Sequence, residues 1–414
     1  MDSERTRAKE IWLVNLFFGP GAAPTGVLLA SLADELLRRG WHVEVLTGTA
    51  DYRTDLAQAA APFPGKIHRF KCASAGHRLS SKLRVWLTFY LKVAWFILWR
   101  RLPEYVVVQT TPPFLHTLFA LRSLGSWRRP KIILWNQDTY PESLAGTGLL
   151  AETSWTYQLL RFIARWSGQR IAHAVVLDGA MAARLQQQGI RNITLIPNWD
   201  RAPATIAGIS LPHELQQIAH GYRYRVAYTG NLGRGHDLTP VWDYLRNHPR
   251  QTDLCFLFVG EGDRTTELRE LVQREGWECV KFWPYLPTAE FSALLHWADF
   301  GLVALEPACL GLMSPSKMHA WLAAGKPVIY IGPAGSNVSE TLAAFGCGFS
   351  VAPGQAGSFE PIAATLHQPD AWQHMHAQSQ LAWKSRHSPE VGLRAWCELL
   401  GKLGSADVPP QPMT

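Results

Sequence analysis

Short runs that are apolar at nearly every position punctuate this chain. Each is too brief for a helix, and most are followed by a turn rich in glycine, proline or small polar residues. Tyr105–Gln109 reads Tyr-Val-Val-Val-Gln, Lys131–Trp135 reads Lys-Ile-Ile-Leu-Trp, and 255–259 reads Cys-Phe-Leu-Phe-Val. A strand with one wet face alternates apolar and polar residues, whereas a strand apolar throughout is covered on both faces. Such strands alternating with helices fit a parallel sheet between two helical layers. A first series has strands at 10–18, 43–46, Tyr105–Gln109, Lys131–Trp135 and 174–177, with a helix at 27–39 that carries Leu28, Leu32 and Leu36 on one side. A second has strands at 225–229, 255–259, Val280–Trp283, 300–305 and 327–331. The turn-rich stretch 196–203 divides them. At 414 residues the chain is too long for one ordinary core. The expectation is an α/β protein of two Rossmann-like doubly wound domains facing a central cleft. The first spans 1–205 with returning helices at 385–403, the second spans 206–384, and a short proline-rich tail, 404–414, is expected to be disordered.

Charge is unevenly placed. Residues 1–200 hold 24 Lys/Arg and 14 Asp/Glu, and no acid occurs between Asp55 and Glu104. Within that gap, 83–99 is rich in tryptophan and leucine. It carries too much charge to span a bilayer but has the composition of an interfacial helix. Arg84, Trp86, Lys92, Trp95 and Trp99 are the expected contacts with an anionic membrane surface; the other reading is a helix packed on the sheet with its basic ends in water. The polar N-terminal residues lack the order of a secretory signal, so a cytoplasmic location at the inner face of the membrane is expected. Six scattered cysteines without a CxxC pair suggest reduced thiols and argue against a disulfide framework or a zinc site. No nucleic-acid partner is expected.

Four junctions carry chemistry. In 314–317, Ser314, Ser316 and Lys317 precede a helix that stops at Gly325; two hydroxyls and an ammonium at a helix start suit a diphosphate, or simply cap a surface helix. In 229–237, Gly230, Asn231, Gly233, Arg234 and His236 free the backbone to approach a ligand and supply a bidentate cation. In 332–340, Gly335, Ser336 and Glu340 could hold phosphate or sugar hydroxyls, or merely start a helix. In 136–142, Asp138 either orients an acceptor hydroxyl and takes its proton or caps a turn, and Glu142 more naturally caps a helix. Thr25 and Gly26 open the first helix, where a ligand could come close.

In this order and spacing, 24–26, 137–142, 228–237, 259–263 and 314–328 resemble the GT-B-fold glycosyltransferases, specifically retaining family 4 enzymes of bacterial exopolysaccharide and O-antigen assembly, including the colanic-acid type. The resemblance implies that residues 206–384 bind a nucleotide-diphosphate sugar as co-substrate, with no cofactor or metal. Arg234 and Lys317 would stabilise the leaving diphosphate, which itself helps take the acceptor proton. The first domain would hold a polyprenyl-diphosphate-linked or other membrane-associated glycan acceptor near Gly26 and Asp138. One departure stands out: Leu312 and Ala320 occupy the places of the family's glutamate pair, so donor hydroxyls must find other partners, Glu306 or Glu340. A nucleotide-sugar 2-epimerase and a non-catalytic subunit of the same fold are the rival readings.

Overall fold

The computed structural model describes residues 9–19, 23–49, 63–72, 79–125, 129–204, 209–233, 237–249, 251, 253–354, 359–366, 368 and 370–405. The chain divides into two compact units, one of Met1–Ile196 with Gly392–Thr414, the other of Pro197–Val391. Sequence reasoning put these divisions near 205 and 385. They move because the turn-rich segment is tied into the second unit: Trp383 Nε1 donates to the Asp200 carbonyl at 2.8 Å, and the Asp200 N–H donates to the His387 carbonyl at 3.3 Å.

Seven parallel strands build the sheet of the first unit: β1 (Glu10–Val14), β2 (His42–Gly48), β3 (Lys66–Phe70), β4 (Tyr105–Gln109), β5 (Lys131–Trp135), β6 (His173–Val176) and β7 (Ile193–Leu195), ordered β3-β2-β1-β4-β5-β6-β7. In the second unit β8 (Tyr224–Thr229), β9 (Leu254–Val259), β10 (Val280–Trp283), β11 (Phe300–Ala304), β12 (Val328–Ile331) and β13 (Gly348–Val351) form a parallel sheet ordered β10-β9-β8-β11-β12-β13. In each unit the order reverses beside the first strand, β1 against β4 and β8 against β11. Loops leaving the carboxyl ends there diverge and leave room for a ligand.

The strands read from sequence all form. Three that were not read, β3, β7 and β13, lie at sheet edges and lack a continuous apolar run. Part of the basic stretch 66–101 therefore has a structural use. The buried Glu44 of β2 gathers His68 at 2.6 Å, Arg100 at 3.2 Å and Lys66 at 3.7 Å with its carboxylate. Pro24 starts the helix Pro24–Arg38, where its missing N–H costs nothing, and Leu28, Leu29, Leu32 and Leu36 bury against the sheet. The helix Pro389–Ser405 returns to the first unit. Its Trp396 packs on Trp135 with ring centroids 4.7 Å apart, and the Leu403 carbonyl accepts from Lys131 Nζ at 2.5 Å. No described helix is long and apolar enough to cross a membrane.

Candidate functional site

The second unit concentrates the chemistry at the carboxyl ends of β8, β9 and β11. Lys317 begins the helix Lys317–Ala323 and points its ammonium back across the end of β8. Its Nζ donates to the Tyr228 hydroxyl and, at 3.3 Å, to the Asn231 carbonyl, and lies 3.8 Å from the Tyr228 ring centroid. Gly230 has φ +96°, and a Cβ there would meet Lys317 Cε at 3.4 Å. Glycine thus supplies both the backbone conformation and the space for the lysine stem. Among the described residues no carboxylate pairs with this ammonium, and burial pushes it down to about 7. A cation desolvated without a counter-ion is what an incoming anion would stabilise.

The neighbouring loops lock together. The Leu232 N–H donates to the Glu261 carbonyl at 3.4 Å, the Arg264 N–H to the Leu232 carbonyl at 3.2 Å, and the Tyr285 hydroxyl to the Glu261 carbonyl at 3.1 Å. Gly260 has φ +134°, and any Cβ there would run into the Gly230 carbonyl. Glu306, at the end of β11, is half-buried; burial and Asp237 raise its carboxyl, and Arg264 opposes them. Of the two acids offered in place of the missing glutamate pair, Glu306 is the one among these loops.

The other expected donor residues fall differently. Ser314 Oγ is buried without a hydrogen-bond partner, so it is available to a ligand, whereas Ser316 stands at the cap position with no side-chain cap bond. The helix is only seven residues long, so its charge comes mainly from Lys317 rather than from a long dipole. Asn231 and Gly233 flank the buried Leu232. Arg234 and His236 lie outside the described residues. Gly335 takes φ +80°, and Ser336 is consumed in a capping box with Ser339 that starts the helix Asn337–Phe345. Glu340 is exposed, with Arg386 at 3.9 Å as its partner rather than any group near Lys317. Leu312 is buried in the core, and Ala320 packs against it. Sequence reasoning missed Tyr228 and Arg264. Tyr228 lies inside the buried strand β8, where its residue type reads as core.

In the first unit, Thr25 and Gly26 sit beyond β1. Asn15 Nδ2 lies 3.4 Å from Thr25 Oγ1, and the Gly26 N–H donates to the Ala23 carbonyl at 2.7 Å. Beyond β4 and β5, the Asp138 N–H donates to Thr110 Oγ1 at 3.1 Å. A recess of about 20 Å³, room for a water, is lined by Thr110, His116, Asn136, Asp138 and Tyr140. Burial pushes the Asp138 carboxyl up to about 6. Asp138 does not cap the following helix Glu142–Gly146, whose cap position is Pro141. Glu142 accepts from Gln188 Nε2 at 2.7 Å, a structural use.

The basic, tryptophan-rich segment is the helix Leu79–Leu98. Val85, Phe89, Val93 and Ile97 bury against the sheet, and Trp86, expected at a surface, packs partly into the same core. Arg84, Lys92, Trp95 and Trp99 are exposed. Lys92 also donates to the Lys71 carbonyl at 2.7 Å.

Residues 25–199 match the sequence profile of the glycosyl transferase 4-like domain. The Pseudomonas aeruginosa protein named "Probable glycosyltransferase WbjE" is 25% identical over 255 residues, 60% of this chain and 62% of that protein. The Escherichia coli protein WcaI, named for colanic acid biosynthesis and glycosyl transfer, is 23% identical over 263 residues, 60% of this chain and 61% of that protein. The matches thus span about three-fifths of the length of these curated relatives. Among solved structures, Anabaena HepE in complex with UDP and glucose superposes with a TM-score of 0.69 at 16% identity, over 95% of this chain and 100% of that one. With two parallel-sheet α/β units and these neighbours, the chain has the fold of the GT-B glycosyltransferases.

Proposed function

We propose that this protein is a glycosyltransferase that moves a sugar from a nucleotide-diphosphate donor to a membrane-associated glycan acceptor, with retention and without a metal. The observation that carries the reading is Lys317: a half-buried ammonium with no carboxylate partner among the described residues, set against the glycine-freed backbone after β8. The glycosyl transferase 4-like match and the relatives named for glycosyl transfer support the reaction class. The HepE complex with UDP and glucose supports a uridine diphosphate sugar as the first donor to try.

In this reading the donor diphosphate binds the second unit. Lys317 and the backbone around Gly230 and Asn231 stabilise charge that grows on the leaving phosphate, and Ser314 Oγ and Glu306 are candidates for donor hydroxyls. Arg234 and His236 extend the same loop. The first unit receives the acceptor near Thr25, Gly26 and Asp138, where Asp138 positions the acceptor hydroxyl. The protein works at the cytoplasmic face of a membrane on a polyprenyl-diphosphate-linked glycan of the exopolysaccharide type.

Titration of the full-length protein with UDP and UDP-sugars tests the donor half. Binding is expected, and Lys317→Ala should weaken it and cut transfer by about tenfold to a thousandfold, the range for removing a charge-stabilising donor. A variant that binds and turns over donor as well as the parent would refute the assignment. Incubating donor alone and looking for an isomer separates transfer from 2-epimerisation. Binding without turnover by any membrane extract would instead indicate the non-catalytic reading.

A further inference from the structure

Eleven of the seventeen large apolar side chains left exposed among the described residues lie on three neighbouring helices of the first unit or on the residue after one of them. These are Leu79–Leu98, His116–Leu124 and Trp155–Gly168. The helices adjoin in that order: Arg122 Nε donates to the Ile97 carbonyl at 3.1 Å, and His116 Nε2 lies 2.9 Å from Ser167 Oγ. On the first, Leu83, Leu87, Leu91 and Trp95 recur every fourth residue, one stripe of a helical surface, opposite the buried Val85, Phe89 and Val93. On the second, Leu121 and Leu124 are exposed; on the third, Trp155, Leu159 and Phe162 are exposed by 76%, 47% and 65%. At about 1.5 Å per residue the three helices are about 30, 13 and 21 Å long, and packed helices lie about 10 Å apart, so the face spans roughly 20 Å across helices averaging about 20 Å in length, within the range of the largest apolar patch of an ordinary monomer.

Charge identifies what covers it. The three helices contain no aspartate or glutamate, and they carry Lys82, Arg84, Lys92, Arg122, Arg161 and Arg165. The first unit's helices Pro24–Arg38 and Pro389–Ser405 each carry two acids. Two copies of the acid-free face brought together would set cations against cations, which opposes self-association. A surface that is apolar, acid-free and tryptophan-bearing fits a bilayer with anionic headgroups, where leucine and phenylalanine enter the acyl boundary and lysine and arginine stay at the phosphates.

We propose that all three helices form a single docking face by which the first unit lies on an anionic membrane, with Trp155, Leu159 and Phe162 inserting alongside the Leu79–Leu98 stripe. This deepens the membrane attachment proposed above, and its test is independent of the transfer reaction. Full-length protein is sedimented with vesicles of phosphatidylcholine alone or mixed with phosphatidylglycerol. The parent should partition at least tenfold more strongly onto the anionic vesicles. Leu159→Glu with Phe162→Glu should lower that partitioning at least tenfold, while Leu381→Glu in the second unit should not change it. Arg161→Glu with Arg165→Glu, which keeps the apolar residues, should weaken capture at low salt and flatten its salt dependence, guarding against an effect of misfolding alone. UDP binding, measured separately, should persist in every variant. Parent protein that ignores both vesicle types while binding UDP would overturn the docking face and leave the donor site standing. Unchanged capture of the Leu159/Phe162 variant would confine docking to the first helix and overturn the proposal. So would a dimer that dissociates on Phe162→Glu without any vesicle binding.

Discussion

Lys317 shows how much a single residue's surroundings decide. A surface lysine would titrate near 10.4, but burial holds this one near 7. The unfolded chain therefore binds more protons than the folded one between about pH 7 and 10.4, and this residue's contribution to stability rises with pH across that window. Donor binding reverses the balance, because a diphosphate favours the ammonium. UDP affinity is expected to fall by up to tenfold per pH unit above about 7, with proton uptake on binding at pH 8 measurable by calorimetry in buffers of different ionisation enthalpy. Lys317→Met should abolish both. Asp138 has the opposite chemistry and the same cause. Its carboxyl is raised to about 6, so the folded state holds a proton that the unfolded state releases, and stability from this group falls as pH rises from about 4 to 6. Asp138→Asn should melt higher than the parent at pH 7 and no higher at pH 3. If Asp138 acts on the acceptor in its ionised form, turnover should rise through pH 6 in the parent and lose that limb in the variant. The sequence made Lys317 legible as a candidate because it opens a helix behind two serines, and Asp138 because it follows a strand end. Tyr228 was not legible, since a tyrosine inside a buried strand looks like core until the ammonium over its ring is seen.

At the scale of elements, strands apolar throughout were readable from composition because burial on both faces removes polar residues. Three of the four edge strands escaped because they lack a continuous apolar run: β3, Lys-Ile-His-Arg-Phe, looks like part of a basic patch until Glu44 is placed beside it. The glycine loops were readable as flexible points, but their mutual contact was not, since it joins residues some thirty positions apart through the pairing of β8 with β9. That contact sets an expectation for Gly260→Ala. The backbone there has φ +134° and the new methyl meets the Gly230 carbonyl, so stability should fall by at least about 1–3 kcal/mol. The shift should appear in thermal melts and be accompanied by weaker UDP binding, because the same carbonyl belongs to the loop beside Lys317. A variant that melts and binds as the parent would show that the two loops separate freely.

Over the whole molecule, each unit has its own sheet and its own buried clusters, so unfolding need not be a single event. Calorimetry is expected to resolve two transitions, and UDP at a hundred times its dissociation constant should stabilise one of them by about 2.7 kcal/mol. A uniform shift of the entire trace would show that the units melt as one. The count of two domains was legible because the chain is long and its pattern restarts after a turn-rich stretch. The place of the division was not, because it depends on which unit captures Asp200, and that is settled by Trp383 and His387 far along the chain.

The returning helix Pro389–Ser405 has a consequence for biosynthesis. Trp135 emerges from the ribosome more than two hundred residues ahead of its packing partner Trp396. All of Pro197–Val391 is made in that interval and can condense on its own, while the earlier-made part of the first unit waits with an indole-sized gap beside β5. The half synthesised first is thus the half finished last, and a nascent chain halted before Pro389 should expose that gap to chaperones and proteases.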